Sequence, residues 1–183
     1  MKFEGFRKKY RNWPVIPSAV VVREEQAEYQ VSRNQLSRWA KTGKLISLRK
    51  GMYAFHPDEV TAASPEILYI ANRLYEPSYI SMEYALSLYE LIPEYVPVVT
   101  SVTTRKTMSF KNVLGNFNYQ HVVPSAFRGF RQERQGLDRQ VFVAEPEKAV
   151  LDFLYLNMSQ LRKDFEGALI GSFRFQNLSL IHI

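Results

Sequence analysis

The stretch that most constrains this chain runs from Val31 to Phe55, where a sharply punctuated helical segment passes directly into a short hairpin. In Val31-Ser32-Arg33-Asn34-Gln35-Leu36-Ser37-Arg38-Trp39-Ala40-Lys41-Thr42-Gly43, Ser32 is placed to cap the helix. Gln35, three residues later, completes a capping box, and Gly43 is the expected stop. Leu36, Trp39 and Ala40 fall on one side and are expected to pack inward. Arg33, Asn34, Gln35, Ser37, Arg38 and Lys41 are left on the other. Lys44–Leu48 and Met52–Phe55 then read as two short strands around the turn Arg49-Lys50-Gly51. Glycine supplies the dihedral that such a turn needs.

Upstream, Phe3, Phe6, Tyr10 and Trp13 recur at a spacing of three, four and three, which places them on one helical face that Pro14 ends. Ala19 to Tyr29 reads as a second helix with Ser18 as its N-cap, although the β-branched run Val20-Val21-Val22 works against it. Three helices followed by a hairpin with a basic tip are the elements of a winged helix-turn-helix, here spanning residues 1–57. Arginine pairs bidentately with guanine, asparagine and glutamine with adenine, and lysine neutralises phosphate, so the polar face of the third helix has the composition of a recognition helix. Arg49 and Lys50 at the hairpin tip are placed to reach phosphate or the minor groove. Charge agrees: residues 1–56 hold 12 Lys/Arg against 4 Asp/Glu, a net of +8, and residues 57–183 hold 12 against 14, a net of −2. A basic module joined to a near-neutral one points to double-stranded DNA as the partner of the first.

His56-Pro57-Asp58 marks a break, and Ser64-Pro65-Glu66 opens a new helix with cap, proline and early acid, so a boundary is expected near residues 57–63. A second, mixed α/β domain is read over residues 64–177, making the whole chain α+β. Its elements are a helix from Ser64 to Leu74, a second from Tyr79 to Ile92, and strands at Val96–Thr103, Asn116–Val123 and Arg139–Ala144. Arg128, Arg131, Arg134 and Arg139 are interleaved with Glu133 and Asp138, which reads as a solvated loop or hairpin and not as a second DNA face. In Ala144–Leu156 apolar residues run nearly all round, so that helix is expected to be buried, with Lys148 and Asp152 as a surface ion pair.

The chain has no cysteine, and His56, His121 and His182 stand far apart without ligand-like spacing, so neither metal nor cofactor is expected. Enzymatic work on nucleic acid would need clustered carboxylates around Mg²⁺, and no Asp/Glu pair falls at strand spacing in the expected sheet. Gly171-Ser172 is not followed by paired aspartates, and there is no Gly-rich phosphate loop. No enzyme is expected. No apolar run approaches the roughly 20 residues of a membrane span, and the start lacks a signal peptide's apolar stretch, so a cytoplasmic protein without membrane association is expected.

The last six residues, Leu178-Ser179-Leu180-Ile181-His182-Ile183, are the translation of CTGTCTCTTATACACATC, a transposon end used in sequencing libraries. Residues 178–183 are therefore read as a non-native tail and the second domain as truncated.

Three blocks carry a family resemblance: Gly43 to Tyr53 (GKLISLRKGMY), Tyr79 to Tyr89 (YISMEYALSLY) and Ala144 to Leu156 (AEPEKAVLDFLYL). In this order and spacing the chain resembles the AbiEi-type antitoxins of type IV, abortive-infection toxin-antitoxin systems. The resemblance implies a transcriptional autorepressor that binds inverted repeats in its own promoter. It also implies a second domain that counteracts a co-encoded nucleotidyltransferase-like toxin in phage defence without forming a stable complex with it. The DNA-contacting positions it implies are the face around Arg33 to Lys41 and the tip Arg49-Lys50. The competing expectations are an inhibitor that binds its toxin directly and an orphan regulator with no toxin.

Overall fold

The computed structural model describes residues 2–26, 28–56, 65–135 and 139–161. They form a mixed α+β structure with six helices and two sheets. No helix among them is long and apolar enough to cross a membrane. The expected boundary at 57–63, the Ser64 cap, Asp138, Gly171-Ser172 and the tail 178–183 lie outside the described residues.

Helix α1 (Phe3–Tyr10) buries Phe6 and Tyr10, as the aromatic spacing requires. It stops at Tyr10, so Trp13 lies beyond it, half-exposed and edge-on to the Tyr10 ring at 5.6 Å. Strand β1 (Ile16–Pro17) leads straight into α2 (Ser18–Glu25). Pro17, not Ser18, occupies the cap position. Gln26 turns to a left-handed φ of 48°, and its N–H bonds to the Arg23 carbonyl, which ends α2 well before the expected Tyr29.

Tyr29 instead opens α3 (Tyr29–Lys41). Ser32 therefore does not cap: it sits inside the first turn, buried, with its N–H on the Glu28 carbonyl. Nor does Gln35 close a capping box; its Oε1 accepts from Arg38 Nη2 at 2.6 Å. Gly43, at φ 72°, follows the helix end as expected. The hairpin follows as β2 (Ile46–Arg49) and β3 (Met52–Ala54), with β3 central in an antiparallel sheet of order β1-β3-β2. Gly51 adopts φ 79° at the turn, and its carbonyl receives the Ser18 N–H at 2.8 Å, tying the hairpin to the start of α2.

Beyond the undescribed link come α4 (Pro65–Leu74), β4 (Ser78–Ile80) and α5 (Met82–Leu88). The helix expected from Tyr79 to Ile92 is thus a buried strand followed by a shorter helix. Tyr79 and Ile80 pair with β5 (Val98–Thr103) on one side, and Ile80 also pairs with β9 (Arg139–Ala144) on the other. Thr100 fixes the strand-to-helix junction: its hydroxyl donates to the Ser81 carbonyl at 2.6 Å and accepts from the Tyr84 N–H at 3.0 Å. With β6 (Met108–Asn112), β7 (Gly115–His121) and β8 (Phe130–Gln135) the large sheet has the order β6-β7-β5-β4-β9-β8. Pairs β4·β9 and β5·β7 are parallel and the rest antiparallel. The arginine-rich stretch forms the β8–β9 hairpin, with Arg131 and Arg134 exposed.

The chain continues into α6 (Pro146–Leu161). The helix is not buried on every side: Leu151, Tyr155 and Met158 are 55%, 55% and 44% exposed, an apolar stripe at a spacing of four and three. The larger core joins the two parts of the chain, because Val15, Ile46, Leu48 and Ala54 pack in one cluster with residues of α4, α5 and the large sheet. Asn112 of β6 donates from Nδ2 to the Leu48 carbonyl at 3.2 Å, reaching the outer edge of β2. A second, smaller core around Phe6, Leu36 and Trp39 belongs to the N-terminal part alone.

Candidate nucleic-acid interface

Trp39 orients α3. Its ring meets Phe6 at 5.0 Å and Phe3 edge-on at 5.1 Å, and Leu36 beside it is fully buried, which turns the opposite side of the helix outward. Asn34, Arg38 and Lys41 are exposed there, together with Gln30, whose Nε2 lies 3.4 Å from Asn34 Oδ1. The flanking positions Arg33, Gln35 and Ser37 are half-buried. Arg33 lies toward the small sheet, near enough to Tyr53 to oppose electrostatically the upward push that burial gives that phenol. The six residues marked in the sequence thus divide into an outward row of three and a flanking set of three.

The hairpin tip divides similarly. Lys50 is exposed. Arg49 is half-buried; its Nε donates to Met52 Sδ at 3.2 Å, and its charge acts on Tyr119 of the large sheet, whose phenol burial pushes far up. The Arg49 side chain is therefore held between the hairpin and the second part of the chain. On α1, Lys9 is occupied by Glu25 at 2.8 Å, a bond that holds the Glu25 carboxyl below its ordinary range.

Two outward residues escaped the sequence reading, Gln30 and Val31. Val31 is 60% exposed at the N-terminal end of α3, where a helix lying in a major groove presents side chains to base edges and an apolar group meets a thymine methyl. Placing the helix start at Ser32 hid both. The signal that could have found them was the missing helix-breaking residue between Tyr29 and Ser32.

A second polar cluster lies on the far side of the large sheet. Asp152 is 2% exposed and accepts three hydrogen bonds: from Lys148 Nζ at 2.5 Å, Tyr79 Oη at 2.9 Å and Ser81 Oγ at 2.8 Å. The expected surface ion pair is thus an enclosed one. Gly129, at φ 75°, lies over the Lys148 stem so closely that a Cβ there would stand 3.1 Å from Cγ. The cluster thus joins α6 to β4.

No protein-family model matches the chain, and no curated protein matches it.

Proposed function

We propose that this chain is a DNA-binding transcriptional repressor whose N-terminal part is a winged helix-turn-helix. The element order α1-β1-α2-α3-β2-β3, with a three-stranded sheet closing over the helices, supports that reading. The observation that carries it is the outward row Asn34, Arg38 and Lys41 on α3, in the third of the chain that holds all the positive excess. Asn34 and Arg38 read base edges, and Lys41, Lys50 and the flanking Arg33 contact phosphate. Together with the resemblance to AbiEi-type antitoxins, this makes the protein an autorepressor acting on inverted repeats in its own promoter, whose second part counteracts a nucleotidyltransferase-like toxin. A gel-shift titration against its own upstream region, competed with unrelated DNA, tests the proposal. Sequence-selective retardation is the expected result, and absence of selectivity rejects it.

One observation favours a second reading, direct binding of a toxin protein. The exposed apolar stripe Leu151, Tyr155 and Met158 is the kind of surface that anchors a partner. Co-purification with the product of the adjacent gene separates the two.

A further inference from the structure

A cleft of about 600 Å³ opens between α4, the chain before β8 and the outer strands β8 and β9, within the size range of small-molecule sites. Four aromatic side chains line it: Tyr69 from α4, and Phe127, Phe130 and Phe142 from the chain and strands across from it. Each is only half-buried, so ring surface is left over to face the space between them. The phenyl rings brace one another edge-on, Phe127 to Phe130 at 5.1 Å and Phe130 to Phe142 at 5.9 Å, and Phe130 is stacked on the buried Tyr79 at 4.6 Å. Buried Asn72 fixes the backbone beneath them. Its Oδ1 accepts the Phe142 N–H at 2.7 Å, and its Nδ2 donates to the Phe142 carbonyl at 3.3 Å. The walls are thus set before any ligand arrives, which limits the ordering cost of binding.

The charged groups at the rim are committed within the protein. Arg73 engages Glu76 at 2.5 Å, and Arg139 donates to the Asn12 carbonyl at 3.4 Å among its partners. An ionic guest would have to compete with those bonds. A neutral ring has only to cover the aromatic walls.

We propose that this cleft binds a neutral planar aromatic molecule, its ring against Tyr69 and the three phenylalanines. Apolar ring surface left in water is the driving force, and any apolar guest of the right size would use it. An aromatic guest gains ring-on-ring contact besides, worth about two- to tenfold in affinity over a saturated guest of the same size. None of the cleft's lining residues belongs to α3 or the hairpin, so the site is separate from the proposed DNA face.

Calorimetric titration of the whole protein with naphthol at neutral pH tests the proposal, with decahydronaphthol and naphthoate as the saturated and the charged analogues. Saturable binding of naphthol is expected, about two- to tenfold tighter than that of decahydronaphthol. Naphthoate should bind no tighter than naphthol. In a parallel NMR titration the Phe142 backbone amide and the Asn72 side-chain amide should shift over the same naphthol concentrations that release heat. Tyr69→Ala removes one wall and should weaken naphthol binding about tenfold. Tyr69 is only half-buried, so the variant should melt near the parent. Absence of saturable binding up to the solubility of naphthol would overturn the assignment. So would decahydronaphthol binding as tightly as naphthol, naphthoate binding more tightly, saturation that leaves the Phe142 and Asn72 signals in place, or an affinity unmoved by Tyr69→Ala.

Discussion

Asp152 on the last described helix accepts the hydroxyl of Tyr79, 73 positions earlier in the chain, at 2.9 Å. The same carboxylate oxygen takes Ser81, while its other oxygen takes Lys148. Removing one member of an enclosed ion pair is costlier than removing both, because the survivor stays desolvated without compensation. Asp152→Ala should therefore destabilise the protein by about 3–5 kcal/mol, read as a fall in urea midpoint at constant slope. Restoring much of that loss with Lys148→Met in the same chain would identify the stranded ammonium as its source. A loss under about 1 kcal/mol would mean that the pair is hydrated in solution.

Glu83, in the first turn of α5, is pushed above the ordinary carboxylate range by burial. A carboxyl whose folded pKa is raised supports folding below its unfolded value near 4.5, and that support is lost as pH rises through the folded value. At neutral pH burial of this carboxyl thus works against the fold. Glu83→Gln should stabilise the protein at pH 7 by about half a kcal/mol, and the gain should vanish below pH 4.5. A gain that persisted at low pH would point to amide hydrogen bonding instead of charge removal.

Local chemistry made some elements legible in the sequence and left others hidden. The hairpin at Gly51 and strand β9 from Arg139 to Ala144 fall where composition places them, because a left-handed glycine and the alternating Val141 and Val143 around Phe142 each favour their own backbone. Strand β4 was unreadable for the opposite reason. Tyr79 and Ile80 carry a spacing that suits a helix, and only their pairing with Ser101, Val102 and Val143, at distant positions, makes them extended. Ser32 illustrates a different failure, since a small hydroxyl suits a cap and a buried helix position equally well, and here it lies buried within α3. The candidate DNA face was visible as a composition. Its division into outward Asn34, Arg38 and Lys41 and flanking Arg33, Gln35 and Ser37 was not, because that depends on how Trp39 seats against α1. The enclosure of Asp152 was hidden likewise, since four-residue spacing places two side chains together without saying which face they share.

Tyr79, Tyr84 and Tyr119 are all buried, and burial is the leading cause of a raised phenol in each, with Tyr84 pushed up to about 12. Phenols with raised folded values support the fold below the unfolded value of 10 and withdraw that support as pH climbs toward the folded one. Stability should therefore fall steeply above pH 10, each phenol contributing up to about 1.4 kcal/mol per pH unit. Tyr84→Phe should flatten the fall between pH 10 and about 12. Spectrophotometric titration would follow the same event as delayed phenolate absorbance in the folded protein. Ionisation of all tyrosines near pH 10, with no loss of structure, would contradict the burial of these rings.

The divided geometry of α3 and the hairpin gives the DNA reading a graded test. Lys41 and Lys50 are exposed cations placed for phosphate, so Lys41→Ala and Lys50→Ala should weaken binding to all sequences alike and lower the salt slope by about 0.9 each. Asn34 and Arg38 face outward, and in the proposed repressor they meet base edges, so Asn34→Ala or Arg38→Ala should cost about 1–3 kcal/mol on the operator and much less on unrelated DNA. Arg38 is also held by Gln35, so Gln35→Ala should loosen a preset donor and reduce selectivity less than Arg38→Ala does. Arg49→Ala should change the salt slope less than Lys50→Ala, because its guanidinium is turned toward Met52 and the large sheet. Gel shifts at two salt concentrations measure all six. Equal slopes for Arg49→Ala and Lys50→Ala would mean that the hairpin swings away from β6 on binding DNA, and unchanged affinity throughout would remove α3 from the interface.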